Sequence, residues 1–177
     1  CPTGAITPNG ETVAVDPLIC AGCGACSAVC PTGAISYDAP PVATVFRRID
    51  TLAGTYRKAG GGTPRLLVTD GHHGLEMISL AARFGRGLPA DVIPMAVDAL
   101  NGFGHAEMLA ALGAGFGAVD VLLSPKTERE ALEAQLVLAE AIAGEGKLRL
   151  LDLADPDALS DALFGVEVAP VTHDPIL

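Results

Sequence analysis

Beyond residue 41 the apolar positions fall first at helical spacing and then in alternating short runs. Val42, Val45, Phe46, Ile49, Leu52, Ala53 and Tyr56 recur at three- and four-residue intervals. That spacing predicts an amphipathic helix of about four turns. Arg47, Arg48, Arg57 and Lys58 lie on its opposite face, which reads as solvated, with a partner contact as the sharper alternative. Gly60-Gly61-Gly62 ends it. From residue 65 onward, strand runs are expected over residues 66–69, Val92–Val97, 119–123 and 148–153. Helical patterns fill the gaps: His73–Phe84, residues 105–114, and a segment opened by the capping pattern Thr127-x-x-Glu130 and stopped at Gly144. Asp155 ahead of Pro156 predicts a capped short helix after the last strand.

Four β-α units of this length imply a parallel sheet with right-handed crossovers and helices on both faces. The expected class is an α/β Rossmann-like or flavodoxin-like sheet of about four strands. Ahead of it, residues 5–7 and Thr12–Val15 are short apolar stretches around Pro8-Asn9-Gly10, a hairpin signal. Residues 34–37 read as a further strand with an exposed or frayed edge. Asp38-Ala39-Pro40-Pro41 is a stiff break. The chain divides into a small module over residues 1–40, the helix and Gly-rich linker over 41–64, the α/β domain over 65–170, and a tail over 171–177.

The chemistry is concentrated in the small module. Cys20, Cys23, Cys26 and Cys30 stand three, three and four residues apart, and Pro31 follows at once. This is the spacing of [4Fe-4S] coils, in which two-residue gaps wrap several thiolates around one cluster. Gly22 and Gly24 suit positive φ angles, and the small Ala21, Ala25 and Ser27 let backbone N–H groups approach the sulfides. A zinc site or a disulfide framework fits less well, since zinc prefers widely separated CxxC pairs. Cys1-Pro-Thr-Gly-Ala-Ile6 recurs letter for letter as Cys30-Pro-Thr-Gly-Ala-Ile35. Cys1 therefore reads as the last cysteine of an earlier, otherwise absent motif.

On these residues, 1–37 resemble the second half of a two-cluster bacterial-type ferredoxin, an α+β half-module. That resemblance implies that Cys1, Cys20, Cys23 and Cys26 hold one complete [4Fe-4S] cluster. Cys30 would serve a second cluster whose other ligands come from an N-terminal half of the same protein. The alternative, in which Cys20, Cys23, Cys26 and Cys30 close one cluster alone, leaves the Cys1 repeat unexplained. Residues 65–153 resemble the delta subunit of methyl-viologen-reducing hydrogenase. The similarity lies in Pro94-Met-Ala-Val97, the turn Asn101 to His105, and the passage from Leu109 to Leu123. That family's cluster cysteines are replaced here by Ala96, Val97, Leu123 and Ser124, which implies a lost [2Fe-2S] site.

Composition narrows the rest. Of 177 residues half are hydrophobic, 4% are aromatic and none is Trp, so a core must be built from Ala, Val, Leu and Ile. A net charge of −10 argues against nucleic acid and anionic membranes as partners. No apolar run reaches the roughly 18 residues of a membrane span. Cluster thiolates without spare cysteines point to a reducing, cytoplasmic compartment. The chain opens on Cys1 and reads as a fragment. In parallel sheets ligands bind at the carboxyl ends of the strands. The residues expected there are Asp70, His72, His73, Glu76, His105, Ser124 and Lys126, with Asp98, Asn101, Asp152 and Asp155 beside them. They could hold a metal, anion, nucleotide or flavin, or merely cap helices; the glycines match no dinucleotide fingerprint. Three functions are in view: a single-electron carrier docking to a redox partner protein, a flavin- or nucleotide-binding oxidoreductase subunit, or an interaction module stapled by its cluster. The first needs no catalytic residue.

Overall fold

A computed structural model describes residues 1–38, 40–172 and 175–176. The middle of the expected break, Ala39, and positions 173, 174 and 177 of the expected tail lie outside these. Near the N-terminus β1 (Ile6–Asn9) pairs antiparallel with β2 (Thr12–Val15), Ile6 opposite Val15 and Asn9 opposite Thr12. Gly10, at φ +63°, lies in the turn, while Pro8 and Asn9 of the expected turn signal belong to β1. Asp16 then redirects the chain. Its side chain accepts the Leu18 N–H (2.9 Å) and its carbonyl accepts the Cys20 N–H (2.9 Å). A five-residue helix, α1 (Ala25–Val29), follows inside the cysteine run.

The strand expected over residues 34–37 does not form. Among the described residues only an isolated bridge joins Asp38 to Pro41, and residues 34–37 pair with neither free edge of the β1–β2 hairpin. Tyr37 instead turns back, its hydroxyl donating to the Gly22 carbonyl at 2.6 Å. Within residues 1–38 only Ala5 and Gly24 are buried, and Leu18 is 96% exposed. This module has no apolar core of its own.

Helix α2 (Val42–Lys58) buries Ile49 and Ala53, as its period required. Arg47, Arg48 and Lys58 are exposed, as a solvated face requires, and Arg57 is half-buried. Arg48 donates to the Ala96 carbonyl (2.7 Å) and Arg57 to the Ala114 carbonyl (2.6 Å), fastening the helix to the α/β domain. That domain is built on four strands: β3 (Arg65–Asp70), β4 (Val92–Val97), β5 (Ala118–Leu122) and β6 (Leu148–Leu151). They form one parallel sheet in the order β4-β3-β5-β6. Four longer helices accompany them: α3 (His73–Phe84), α4 (His105–Gly113), α5 (Arg129–Ala143) and α6 (Pro156–Phe164).

The alternation of side chains along a strand separates two cores. Leu66, Val68, Val119 and Val121 pack on one face with Ile49 of α2, Met108 and Ala111 of α4, and Leu132 and Ala139 of α5. Leu67 and Leu122 pack on the other with Met77 of α3 and Leu159 and Leu163 of α6. Burial on both faces is why β3 and β5 read as mostly apolar runs. Two charges interrupt them. Asp120 is paired with Arg149, and Arg65 meets Asp91 (2.7 Å) while also donating to the Leu163 carbonyl (2.8 Å).

Two capping expectations part ways. Asp155 caps α6 as expected, accepting the Ala158 N–H at 3.0 Å. Thr127 does not cap α5, which begins at Arg129 without a side-chain cap. The Thr127 hydroxyl instead accepts the Ser124 N–H (3.1 Å), and the Ser124 carbonyl accepts the Thr127 N–H (3.0 Å). The tight turn through Pro125 takes up the hydroxyl the cap would have used. Strand β6 also ends at Leu151, short of residue 153, where Asp152 leaves the ladder to pair with Arg129 (2.6 Å). Among the described residues no helix is long and apolar enough to cross a membrane.

Candidate functional site: a cysteine coil on the edge of the sheet

All five cysteines are free thiols. Cys20 is exposed; Cys23 precedes α1, Cys26 lies within it, and Cys30 follows its last turn, all three half-buried. Gly22 (φ +65°) and Gly24 (φ +74°) hold the left-handed geometry that lets the coil reverse between thiols, and Gly24 starts α1. Tyr37 pins this coil from outside through the Gly22 carbonyl. The Cys-Pro-Thr-Gly repeat folds alike both times. The Gly4 N–H reaches the Cys1 carbonyl (3.2 Å) and the Gly33 N–H the Cys30 carbonyl (3.5 Å). Gly4 and Gly33 take φ values of +71° and +66°, and each cysteine sulfur lies beside the threonine hydroxyl two residues on.

These turns suit anionic sulfur. Hydrogen bonding from the Ile35 N–H, then from the Thr32 hydroxyl and N–H, lowers the Cys30 thiol to about 7. N–H and O–H groups aimed at sulfur also tune iron–sulfur clusters. Free thiols, left-handed glycines that hold the coil open, and a donor-lined sulfur therefore fit a cluster. Among the described residues no three His, Cys, Asp or Glu side chains converge as ligands of one metal ion would.

The coil is not free-standing. It lies on the carboxyl edge of the sheet, against the short 3-10 turn Leu100–Gly102 that follows β4. A Cβ at Gly24 would stand 3.0 Å from the Gly102 Cα, so the two backbones meet at contact distance. A Cβ at Gly104 would stand 2.9 Å from the Ala28 Cβ and 3.0 Å from Gln135 Oε1. Behind this contact is a cavity of about 120 Å³, lined by Gly24, Ser27 and Tyr37 on one side and Met95, Phe103 and Glu107 on the other. Glu107 is 7% exposed and accepts the Gly104 N–H at 2.9 Å. Burial raises its pKa, against a smaller opposing effect of that bond and of its own N–H.

The other residues of the edge are placed as follows. Asp70 Oδ1 accepts the N–H groups of Gly74 (2.7 Å) and His72 (3.3 Å), so it satisfies a first-turn N–H of α3 from ahead of the N-cap, His72. His72 and Glu76 are exposed and His73 half-buried. His105 opens α4; Gln135 Oε1 accepts its backbone N–H (3.2 Å) and lies 2.6 Å from its Nδ1. Ser124 is closed into its turn with Thr127, and Lys126 is exposed. Asp152 is held below the usual carboxylate range by its hydrogen bond from Arg129. Asp70, Ser124, Asp152 and Asp155 thus serve caps, turns and ion pairs. Two buried oxygens, Thr69 Oγ1 and Asn101 Oδ1, have no hydrogen-bond partner among the described residues.

Sequence reasoning missed Tyr37 as a latch, and it weighed Asn101-Gly-Phe-Gly104 as a ligand-edge turn, a failed nucleotide fingerprint and a point of resemblance, not as a backbone contact. Two glycines flanking a buried aromatic, one strand-length after β4, signalled close backbone approach instead.

Residues 13–36 match the family model described as a 4Fe-4S binding domain. No curated protein and no solved structure matches the chain. The family match marks the cysteine coil as an iron–sulfur cluster-binding segment and indicates an electron-transfer role.

Proposed function

We propose that this chain is an iron–sulfur electron-transfer subunit that passes single electrons within a larger redox complex. Cys1, Cys20, Cys23 and Cys26 hold one [4Fe-4S] cluster, and Cys30 serves a second cluster completed by a preceding ferredoxin half. The observation that carries this reading is the family match over residues 13–36, joined to the two identically folded Cys-Pro-Thr-Gly turns. A bound cluster supplies outer-sphere, one-electron chemistry, with a potential tuned by sulfur hydrogen bonds and solvent exposure. The protein's part is to place thiolates, N–H donors and a docking surface. No catalytic side chain is assigned.

The sheet order, with the first strand of the domain between the second and third, supports a flavodoxin-like doubly wound assignment. Kinship to the hydrogenase delta subunit rests on the sequence passages alone. With capping and turn roles filling much of the polar edge, the α/β domain is read as a docking platform. The redox partner is a protein, and the setting is the reducing cytoplasm.

A second reading has its own observation. Residues 1–38 bury so little that metal-coupled folding would stabilise them whatever their redox role. Protein film voltammetry on the anaerobically reconstituted chain separates the two. A reversible one-electron wave at low potential supports the carrier, and a redox-silent cluster refutes it.

A further inference from the structure

We propose that Gly104 is a positioning residue for the cluster-bearing coil, so that the α/β domain sets how firmly the cluster is held and at what potential. The inference rests on the proposed cluster at Cys20, Cys23 and Cys26. It adds that the coil's geometry is imposed from outside the ferredoxin segment.

Nothing in the backbone of Gly104 demands glycine. Its φ of −92° and ψ of −163° are extended angles open to any residue. What excludes a side chain is the neighbour. A methyl group there would press on the Ala28 Cβ at 2.9 Å, on Gln135 Oε1 at 3.0 Å and on the Ala28 carbonyl oxygen at 3.4 Å. Ala28 lies in α1, two residues after Cys26 and two before Cys30. Pushing Ala28 away therefore moves two of the candidate ligands at once.

The floor beneath this contact is stiff. Gly104 starts α4, its N–H is held by the buried Glu107 carboxylate, and Phe103 before it is 1% exposed. Gln135 of α5 locks the next residue, His105. The coil has no comparable core, since Gly24 is the only buried residue between Cys20 and Cys30. The Gln135 contact is with the far end of a flexible side chain, which gives by a few tenths of an ångström, whereas the Ala28 clash is relieved by moving the coil, not the sheet edge. Gly102 is a graded control. A Cβ there would meet the Gly24 Cα at 3.5 Å, an ordinary contact.

The test uses the anaerobically reconstituted full chain. Gly104→Ala is expected to speed loss of iron to a chelator about tenfold, as changes in the outer shell of a metal site do, and to shift the cluster's midpoint potential and EPR line shape. Circular dichroism of the α/β domain should stay unchanged. Adding Ala28→Gly should restore all three cluster readouts, and Gly102→Ala should leave them at parental values. Should Gly104→Ala fail to fold, Ala28→Val applies the same pressure from the coil side and should reproduce the shifts. Parental potential and iron retention in Gly104→Ala or in Ala28→Val overturn the inference, as does an altered cluster that Ala28→Gly fails to rescue. A parent chain that binds no iron overturns the cluster reading itself, and the inference with it.

Discussion

Asp120 and Arg149 face each other in register on neighbouring parallel strands, and both carboxylate oxygens of the fully buried aspartate are taken by the guanidinium, at 2.6 and 2.9 Å. Arg149 also reaches the Ala162 carbonyl of α6 (3.3 Å), so one side chain joins two strands and a helix. Removing it strands a charge in the interior. Arg149→Ala is therefore expected to destabilise the α/β domain by about 3–5 kcal/mol, read from urea unfolding. The double replacement Asp120→Val with Arg149→Met should recover most of that loss, since it leaves no unpaired charge. Equal loss in single and double variants would refute the assignment.

Glu107 predicts a pH dependence of the opposite sign to that of most carboxylates. Burial raises its folded-state pKa above the unfolded value of about 4.3. The folded protein thus binds the proton more tightly, and stability falls as pH rises from that value through the raised one. Glu107→Gln should flatten this slope in chemical denaturation followed between pH 4 and pH 8 (roughly the span of a raised carboxyl). An unchanged slope would show that Glu107 is not the group responsible.

How much of this was readable beforehand follows from which interactions are local. Helix α2 and the spans His73–Phe84 and Val92–Val97 were legible because the period of burial is written into neighbouring residues. The Asp155 cap and the Gly144 stop were legible for the same reason. What escaped depended on distant partners. Thr127 had the right pattern for a cap, yet Ser124 claimed its hydroxyl. Residues 34–37 looked like a strand but join no ladder. Arg48 and Arg57 read as part of a solvated face, and their bonds to distant carbonyls, of Ala96 in β4 and of Ala114 at the end of α4, left no local signal. The cysteine coil was visible from its spacing. Its seat on the turn before α4 was not, because contacts between Gly24 and Gly102, or Ala28 and Gly104, leave no periodic trace.

Cys30 should stand out by its reactivity in the metal-free chain. Its thiol is lowered to about 7 by the Ile35 N–H and the Thr32 groups. Peptide-resolved alkylation across pH should give Cys30 a midpoint near that value, and Thr32→Val should move it upward. A midpoint insensitive to Thr32 would remove the hydroxyl from the account.

Tyr37 should matter for the coil and not for the sheet. Tyr37→Phe deletes a single hydrogen bond to Gly22, worth about 1 kcal/mol. Iron should leave the reconstituted chain several-fold faster, with thermal unfolding of the α/β domain unchanged. Identical iron loss in both proteins would mean that the latch is incidental.

The shared-ligand scheme is tested most directly by counting iron and acid-labile sulfide, with EPR, in Cys1→Ala and Cys30→Ala prepared side by side. Cys30→Ala should retain about four iron and four sulfide per chain, the content of one cubane, while Cys1→Ala should lose its cluster. Retention in Cys1→Ala together with loss in Cys30→Ala would contradict it, leaving Cys20, Cys23, Cys26 and Cys30 to close a single cluster by themselves.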